Sequence, residues 1–591
     1  MAALALAAIL IYSHRSGLSR GVGTLAERCA DVFRPRSDRI TPVDWIIFGA
    51  ITVFCFLTMQ HSDILHTGSS SFALLRGHIL DFYEYNSKYL GGNAYMISTY
   101  IIFALWNIPL AILGRMGPPS MEQSFGVLMW FKLLPTTLFV ISGILFYKIC
   151  RKFEDRTGVS AKWGTFLFLL TPTAFYSQFM FGQYDSLTVV FLLLAIKVLL
   201  DEKENSLTWF SVLFGIATTF KYHALLFFVP ILVYREKRIP KLIKYAICYG
   251  IPVLLVNILY LHSPAFTSGV EGFHAINYIF SPSIPYLYGG NFVTYLVPVL
   301  WVILCVYAYS RATASDAYDR LRDMAYLTNL VVWLAFGIIF WHPQWLMIAT
   351  PFLALSIVVC KRRSVICMLD ALYMFAFISF VEFMVYWPNM TLGFYDLGIL
   401  KDAIAGHSAL AHFNSLGRFC LVKDYNLAYT IMSCVLMARA LLVRPEWDAA
   451  PNLSTPAADA RWFRLRSFVG ICAMVVPMAI ILVSMLHATK FIANTDVSLT
   501  RGSVSIEVQT DGDFKDFSAA VWSEKNGTDD IIWYPLTQSE DSLWTCEVDL
   551  SNYSDTGNYI VEYYSFPEGE AKPLTRSGFE VTELPGAKQD S

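Results

Sequence analysis

Apolar runs of roughly the length that crosses a bilayer recur from residue 43 to residue 487, and the segments joining them alternate between Lys/Arg clusters and stretches nearly free of cations. A hydrocarbon core about 30 Å thick needs about 20 apolar residues in a helix, and backbone polar groups in lipid must be satisfied within the segment. Together these constraints leave a polytopic α-helical membrane protein. Composition agrees: 15% of the residues are charged, whereas a soluble chain carries about 25%. The chain has no basic tract interleaved with aromatics, which excludes nucleic-acid binding. Its eleven Cys fall in neither CxxC nor Cys/His ligand spacing, which argues against a disulfide framework or a structural metal site.

The charge alternation orders the spans. Residues 1–42 form an N-terminal segment whose apolar start is too short to span and whose basic part, 14–39, belongs in the cytoplasm. The first span, about 43–59, then runs outward. The loop 60–122 lies outside, with its apolar piece 98–113 in the interface or re-entrant. Later turns at RKFEDR (151–156), YREKRIPK (234–241), KRR (361–363) and RWFRLR (461–466) all fall inside. This reading gives about thirteen spans within a membrane domain at 43–490. The runs 207–220 and 223–234 are each short, so the pair is read as tilted or broken.

Three polar clusters interrupt this pattern, and the topology puts all three on the external face. The first follows span 1 and contains Asp63, His78, Asp81 and Glu84. Asp63 falls just past a rigid helix, as a catalytic carboxylate must; Asp81 and Glu84, three apart, share a helix face and either position an acceptor or hydrate the interface. The second cluster, FGQYDS at 181–186, holds Gln183 and Asp185. There Asp185 is either a helix cap or a ligand for sugar hydroxyls. The third, WHPQW at 341–345, holds His342 and Gln344, with Pro343 stopping the helix. Lys221 and His223 add a cation to an otherwise apolar stretch, where a lysine needs a partner or an anionic ligand such as phosphate.

From about residue 491 the pattern changes to period-two runs separated by DGD, KNGTDD and SDTGN turns. These predict an all-β sandwich of immunoglobulin-like topology over 491–591, outside the cell membrane. Its candidate core residues are Trp533, Trp544, Val548, Tyr559 and Val561.

An acidic loop after span 1, the segment TPTAFYSQFMFGQYDS (171–186), the broken TTFKYHALLFFVP pair and the external WHPQW turn together resemble the GT-C superfamily of polyprenyl-phosphate-sugar-dependent glycosyltransferases. The resemblance covers about residues 43–440. It implies transfer of a hexose from a polyprenyl-phosphate sugar to a cell-envelope glycan or glycolipid by direct displacement. Asp63 would be the base, and His78, Asp81, Glu84, Gln183, Asp185, Lys221, His223, His342 and Gln344 would bind substrate, with no metal or cofactor. Asp63 is followed by Ile64 rather than a second acid, which sets the chain apart from protein mannosyltransferases. The β region resembles the Bsp-like repeat of Gram-positive surface proteins through AVWSEKNGTDDIIWYPL (520–536) and DLSNYSDTGNYIVEYY (549–564), which implies a bacterial plasma membrane and makes NGT (526–528) no glycosylation site. A lipid transporter or flippase and a nonenzymatic envelope scaffold are the competing readings; no repeat of span pattern between the halves favours the first.

Overall fold

The computed structural model describes residues 39–58, 62–93, 95–117, 123–271, 277–285, 293–384, 425–446, 458–472, 491–494, 502–510, 517–525, 527–540, 543–565, 572–582 and 584. The N-terminal segment to residue 38, the loop 388–424, the second half of the last expected span and Asn526 lie outside the described residues. The chain divides into a helical unit and a second unit that contains the β region.

In the helical unit, α1 (Pro42–Thr58) is followed by α2 (Ser62–Ser70), α3 (Phe82–Leu90) and α4 (Ile97–Ile112), then by the long α5 (Phe125–Lys152). Next come α6 (Ala161–Leu169), α7 (Ser186–Leu200), α8 (Ser206–Phe220), α9 (Ala224–Arg235) and α10 (Ile239–Asn257). The unit continues with α11 (Leu296–Ser310), α12 (Ala317–Gly337), α13 (Thr350–Val359), α14 (Arg363–Met384), α15 (Tyr425–Leu442) and α16 (458–472). A short antiparallel pair, β1 (Ser283–Pro285) with β2 (Val293–Tyr295), precedes α11.

Helices α5 and α10 are long and apolar enough to cross a membrane, and several shorter apolar helices accompany them. In α10 the core-helix alternative fails on exposure. Ile239, Ile243, Ile247, Ile251 and Leu255, four apart, form an exposed apolar stripe that water would penalise and lipid would not. Its other face reaches α8 closely, because a Cβ on Gly215 would stand 2.2 Å from the Tyr249 carbonyl oxygen; small residues allow such backbone approach in membranes.

Ion pairs collect at one end of the unit. Arg464 reaches Asp44, Arg156 reaches Asp316, and Arg320 and Arg235 share Glu202. Arg311 joins Asp323 to Glu446, and Arg363 pairs with Asp459 at 2.5 Å. Lys237 donates to the last carbonyls of α9 and α11, at Val233, Ala308 and Tyr309, which satisfies orphan helix-end acceptors. Most of the basic clusters expected at the cytoplasmic turns are therefore assembled together.

Several expectations are corrected. RWFRLR is not a turn ahead of a helix that starts near 467: α16 already runs through it, and Arg466 is buried against Asp370 at 2.6 Å, with Arg439 on the other Asp370 oxygen. The third span is not one helix, because α6 ends at Leu169 and Pro172–Phe175 leads into a π-helical turn at Tyr176–Met180. WHPQW is not an open turn either. Pro343–Ala349 forms a 3₁₀ segment, and Gln344 and Trp345 are buried.

The expected break in the 207–234 pair is present: α8 ends at Phe220, and Lys221 is extended at φ −152°, ψ 112°. Helix α4, the ambiguous 98–113 segment, is tied both to α8 and to first-loop elements. Ser98 donates to the Thr219 carbonyl at 2.6 Å, Asn107 donates to Ser71 Oγ at 3.0 Å, and Arg76 donates to the carbonyl of Gly117.

The β region holds two four-stranded sheets. β3 (Phe491–Asn494), β4 (Ser503–Thr510), β8 (Leu543–Asp549) and β7 (Thr537–Glu540) form one in that spatial order. β10 (Lys572–Val581), β9 (Gly557–Ser565), β5 (Phe517–Ser523) and β6 (Ile532–Pro535) form the other. Alternating residues of both sheets, Val504, Ile506 and Val508 with Ala519, Val521 and Val561, bury one shared core. Trp544, Val548, Tyr559 and Val561 take the core places expected of them. Trp533 does not: its side chain lies on the outer surface, 44% exposed.

Candidate functional site

Away from the ion pairs, four breaks in helical structure meet. Asp63 stands in the first turn of α2, and Tyr95 precedes α4. The turn after the π-helical segment carries Gln183, Tyr184 and Asp185, with Gly182 at φ +74° permitting its left-handed bend. The α8–α9 break carries Lys221 and His223, and the 3₁₀ segment carries Trp345.

Lys221 Nζ lies 3.4 Å from Asp185 Oδ1, with the two side chains 5% and 2% exposed. The same ammonium sits 5.1 Å from the Tyr95 ring centroid and 5.0 Å from that of Trp345. Two aromatic faces and one carboxylate thus hold a desolvated cation. Asp185 makes no side-chain capping bond to α7, so its cap reading gives way to the ion pair. A cleft lined by Tyr95, Thr218, Lys221, Tyr222 and Trp345 opens on the cation.

Several polar groups on the elements around the pair are unsatisfied. Asp185 Oδ2, Gln183 Nε2, His223 Nδ1, Gln344 Oε1 and both amide atoms of Gln178 are buried without a hydrogen-bond partner. Most buried polar atoms in folded proteins are paired, and each orphan costs about 1–3 kcal/mol. Such a concentration fits a site whose hydrogen-bond partners arrive with a ligand. Asp63, half-buried, shares an electrostatic environment with Asp185, Tyr95 and Tyr184. His223 packs its ring 5.0 Å from Trp345, and His342 packs against the same indole at 4.9 Å.

Not every expected residue joins. His78 pairs with Asp81 at 2.9 Å and stacks on Tyr85, while Glu84 accepts from Ser263. Glu84 thus fastens the first loop to the segment after α10, while His78 and Asp81 bond within the loop. The His78 imidazole holds the exposed Asp81 carboxyl below its ordinary value.

Sequence reasoning passed over Tyr95, Gln178 and Lys132. Lys132 is buried in the middle of α5, where it donates to the carbonyl of Phe56 in the last turn of α1 and touches the space beside Gly182. A lysine in an apolar helix was a visible signal. The roles of Tyr95 and Gln178 depend on a π-helical turn and a chain reversal that no local pattern announces.

Residues 100–340 match the model of glycosyltransferase family 87. The matched stretch contains Gln183, Asp185, Lys221 and His223, so the buried pair belongs to a glycosyltransferase region of GT-C type. Asp63, Tyr95, His342 and Gln344 lie outside the match and enter the site through geometry alone. Residues 492–578 match the GBS Bsp-like repeat. No curated protein and no solved structure matches the chain.

Proposed function

We propose that the protein transfers a hexose from a polyprenyl-phosphate sugar to a cell-envelope glycan or glycolipid on the outer face of a bacterial plasma membrane. The observation that carries this reading is the Lys221–Asp185 pair, buried between aromatic faces and ringed by unpartnered polar atoms within a glycosyltransferase family 87 region. Lys221 neutralises the donor phosphate, and the orphaned amides receive sugar hydroxyls. An acceptor hydroxyl oxygen bonds to the anomeric carbon as the bond from that carbon to phosphate oxygen breaks. The electron pair leaves with the phosphate, and the hydroxyl proton passes to Asp63. His223, Gln344 and His342 complete the sugar side of the site; His78, Asp81 and Glu84 act at a distance by fixing the first loop.

In this reading residues 43–490 are the membrane domain, with about thirteen spans, the N-terminus inside and the β region outside. The β region is immunoglobulin-like. Tyr559, near the start of β9, donates its hydroxyl to the Asp555 carbonyl at 2.7 Å, the arrangement of a tyrosine corner.

Purified protein in lipid nanodiscs, given synthetic polyprenyl-phosphate hexoses and envelope extract, should release polyprenyl phosphate and label the extract. If no hexose lipid is consumed while the same protein moves that lipid across vesicle bilayers, the reading fails in favour of a transporter.

A further inference from the structure

We propose that the outer face of the β10-β9-β5-β6 sheet is a glycan-binding platform built on Trp533 and Tyr564. The pairing register sets Arg576 opposite Glu562, Glu562 opposite Ala520, and Ala520 opposite Trp533, in one row across four strands. Ser518, opposite both Tyr564 and Pro535, stands in the neighbouring row. The small side chains of Ala520, which is fully buried, and Ser518 let the flanking side chains fold over β5. The rings of Trp533 and Tyr564 pack against each other, with centroids 4.8 Å apart and planes inclined by 57°, giving one continuous aromatic surface on which Trp533 stays 44% exposed.

The polar edge is fixed before any ligand arrives. Glu562 Oε1 accepts from Arg576 Nε at 3.0 Å and from Nη2 at 2.5 Å, and Oε2 accepts from the Tyr564 hydroxyl at 2.6 Å. Arg576 remains 58% exposed and uses neither hydrogen of Nη1 in these bonds. A pyranose presents C–H groups on its faces and hydroxyls around its rim, so an aromatic surface beside a preset guanidinium–carboxylate pair matches both.

Charge selects among occupants. Residues 491–591 carry 6 Lys and Arg against 19 Asp and Glu, which repels polyanions such as nucleic acid or an anionic lipid surface. A neutral glycan meets no such penalty. The choice of a glycan also rests on the transferase reading, under which the module holds acceptor polymer near the enzyme and raises its effective concentration.

The test uses the full chain in nanodiscs and measures equilibrium binding to tetramers of glucose, mannose and N-acetylglucosamine. At least one tetramer should bind saturably, Trp533→Ala should weaken it about tenfold, Trp533→Tyr should retain most of the affinity, and Arg576→Met should weaken it by a smaller factor. Asp63→Asn should bind that tetramer as the unaltered chain does, so loss of transfer and loss of glycan binding are read separately. The proposal is overturned if no tetramer binds the unaltered chain, or if Trp533→Ala, with an unchanged melting temperature, binds as well as the unaltered chain.

Discussion

The two polar regions of the helical unit bury charge under different terms. At one, Asp370 is shared by Arg439 and Arg466, and these arginines donate further to the Leu353 carbonyl, Ser356 and Thr171. At the other, Asp185 keeps one oxygen without a partner, and Gln178, Gln183, His223 and Gln344 each leave polar atoms unused. A network paired at every charged group, with Arg439 Nε its one orphan among these three residues, contributes to holding helices in place. An unsaturated one, retained despite the cost of its orphans, is shaped for something that is not part of the chain.

If that contrast is sound, damage to the two regions should have different signatures. Asp370→Asn removes the shared anion from two buried arginines and should destabilise the protein by about 3–5 kcal/mol. Thermal unfolding should show this, while the surviving folded fraction binds donor normally. A parallel loss of donor affinity in that fraction would erase the distinction.

Asp63→Asn should have the opposite profile. Turnover should fall by about 10²-fold or more, with melting temperature and donor affinity little changed. Normal turnover would move the base elsewhere, with Asp185 the nearest alternative.

The smallest expected effect concerns a paired carboxylate outside both regions. The Arg238 side chain, helped by its own backbone N–H and that of Lys237, holds the Glu236 carboxyl down to about 2. Because the folded value lies below the unfolded one of about 4.3, this contribution is complete above that pH and fades as the pH falls toward about 2. The stability difference between the unaltered chain and Glu236→Gln should therefore be largest near neutrality and shrink through that acidic window. A difference that grows on acidification would contradict the assigned pairing.

The sequence made the broad architecture legible because two strong signals act over short distances. Lipid requires long apolar helices, and exposed sandwiches require period-two alternation; both leave marks within a single element. The α8–α9 break was readable for the same reason, since Lys221 interrupts an apolar run. What stayed hidden depends on tertiary pairing. Nothing around Arg466 distinguishes a solvated arginine from one buried on Asp370, which lies on another helix. Trp533 satisfies the alternation of a core strand, yet its phase within β6 directs it outward. The pairing of Asp185 with Lys221 spans residues too far apart in sequence for spacing alone to join them, although each was singled out separately.

The central claim is that the unsaturated region binds a lipid-linked phosphate through Lys221. Its most direct test is equilibrium binding of a polyprenyl monophosphate to purified unaltered chain and to Lys221→Met, which keeps the aliphatic bulk and removes the cation. A charge-assisted phosphate contact predicts a loss of about tenfold or more, with the melting temperature preserved and binding unaffected by Arg238→Met in the Glu236 pair. Equal affinity of the two proteins for the lipid phosphate would contradict the account.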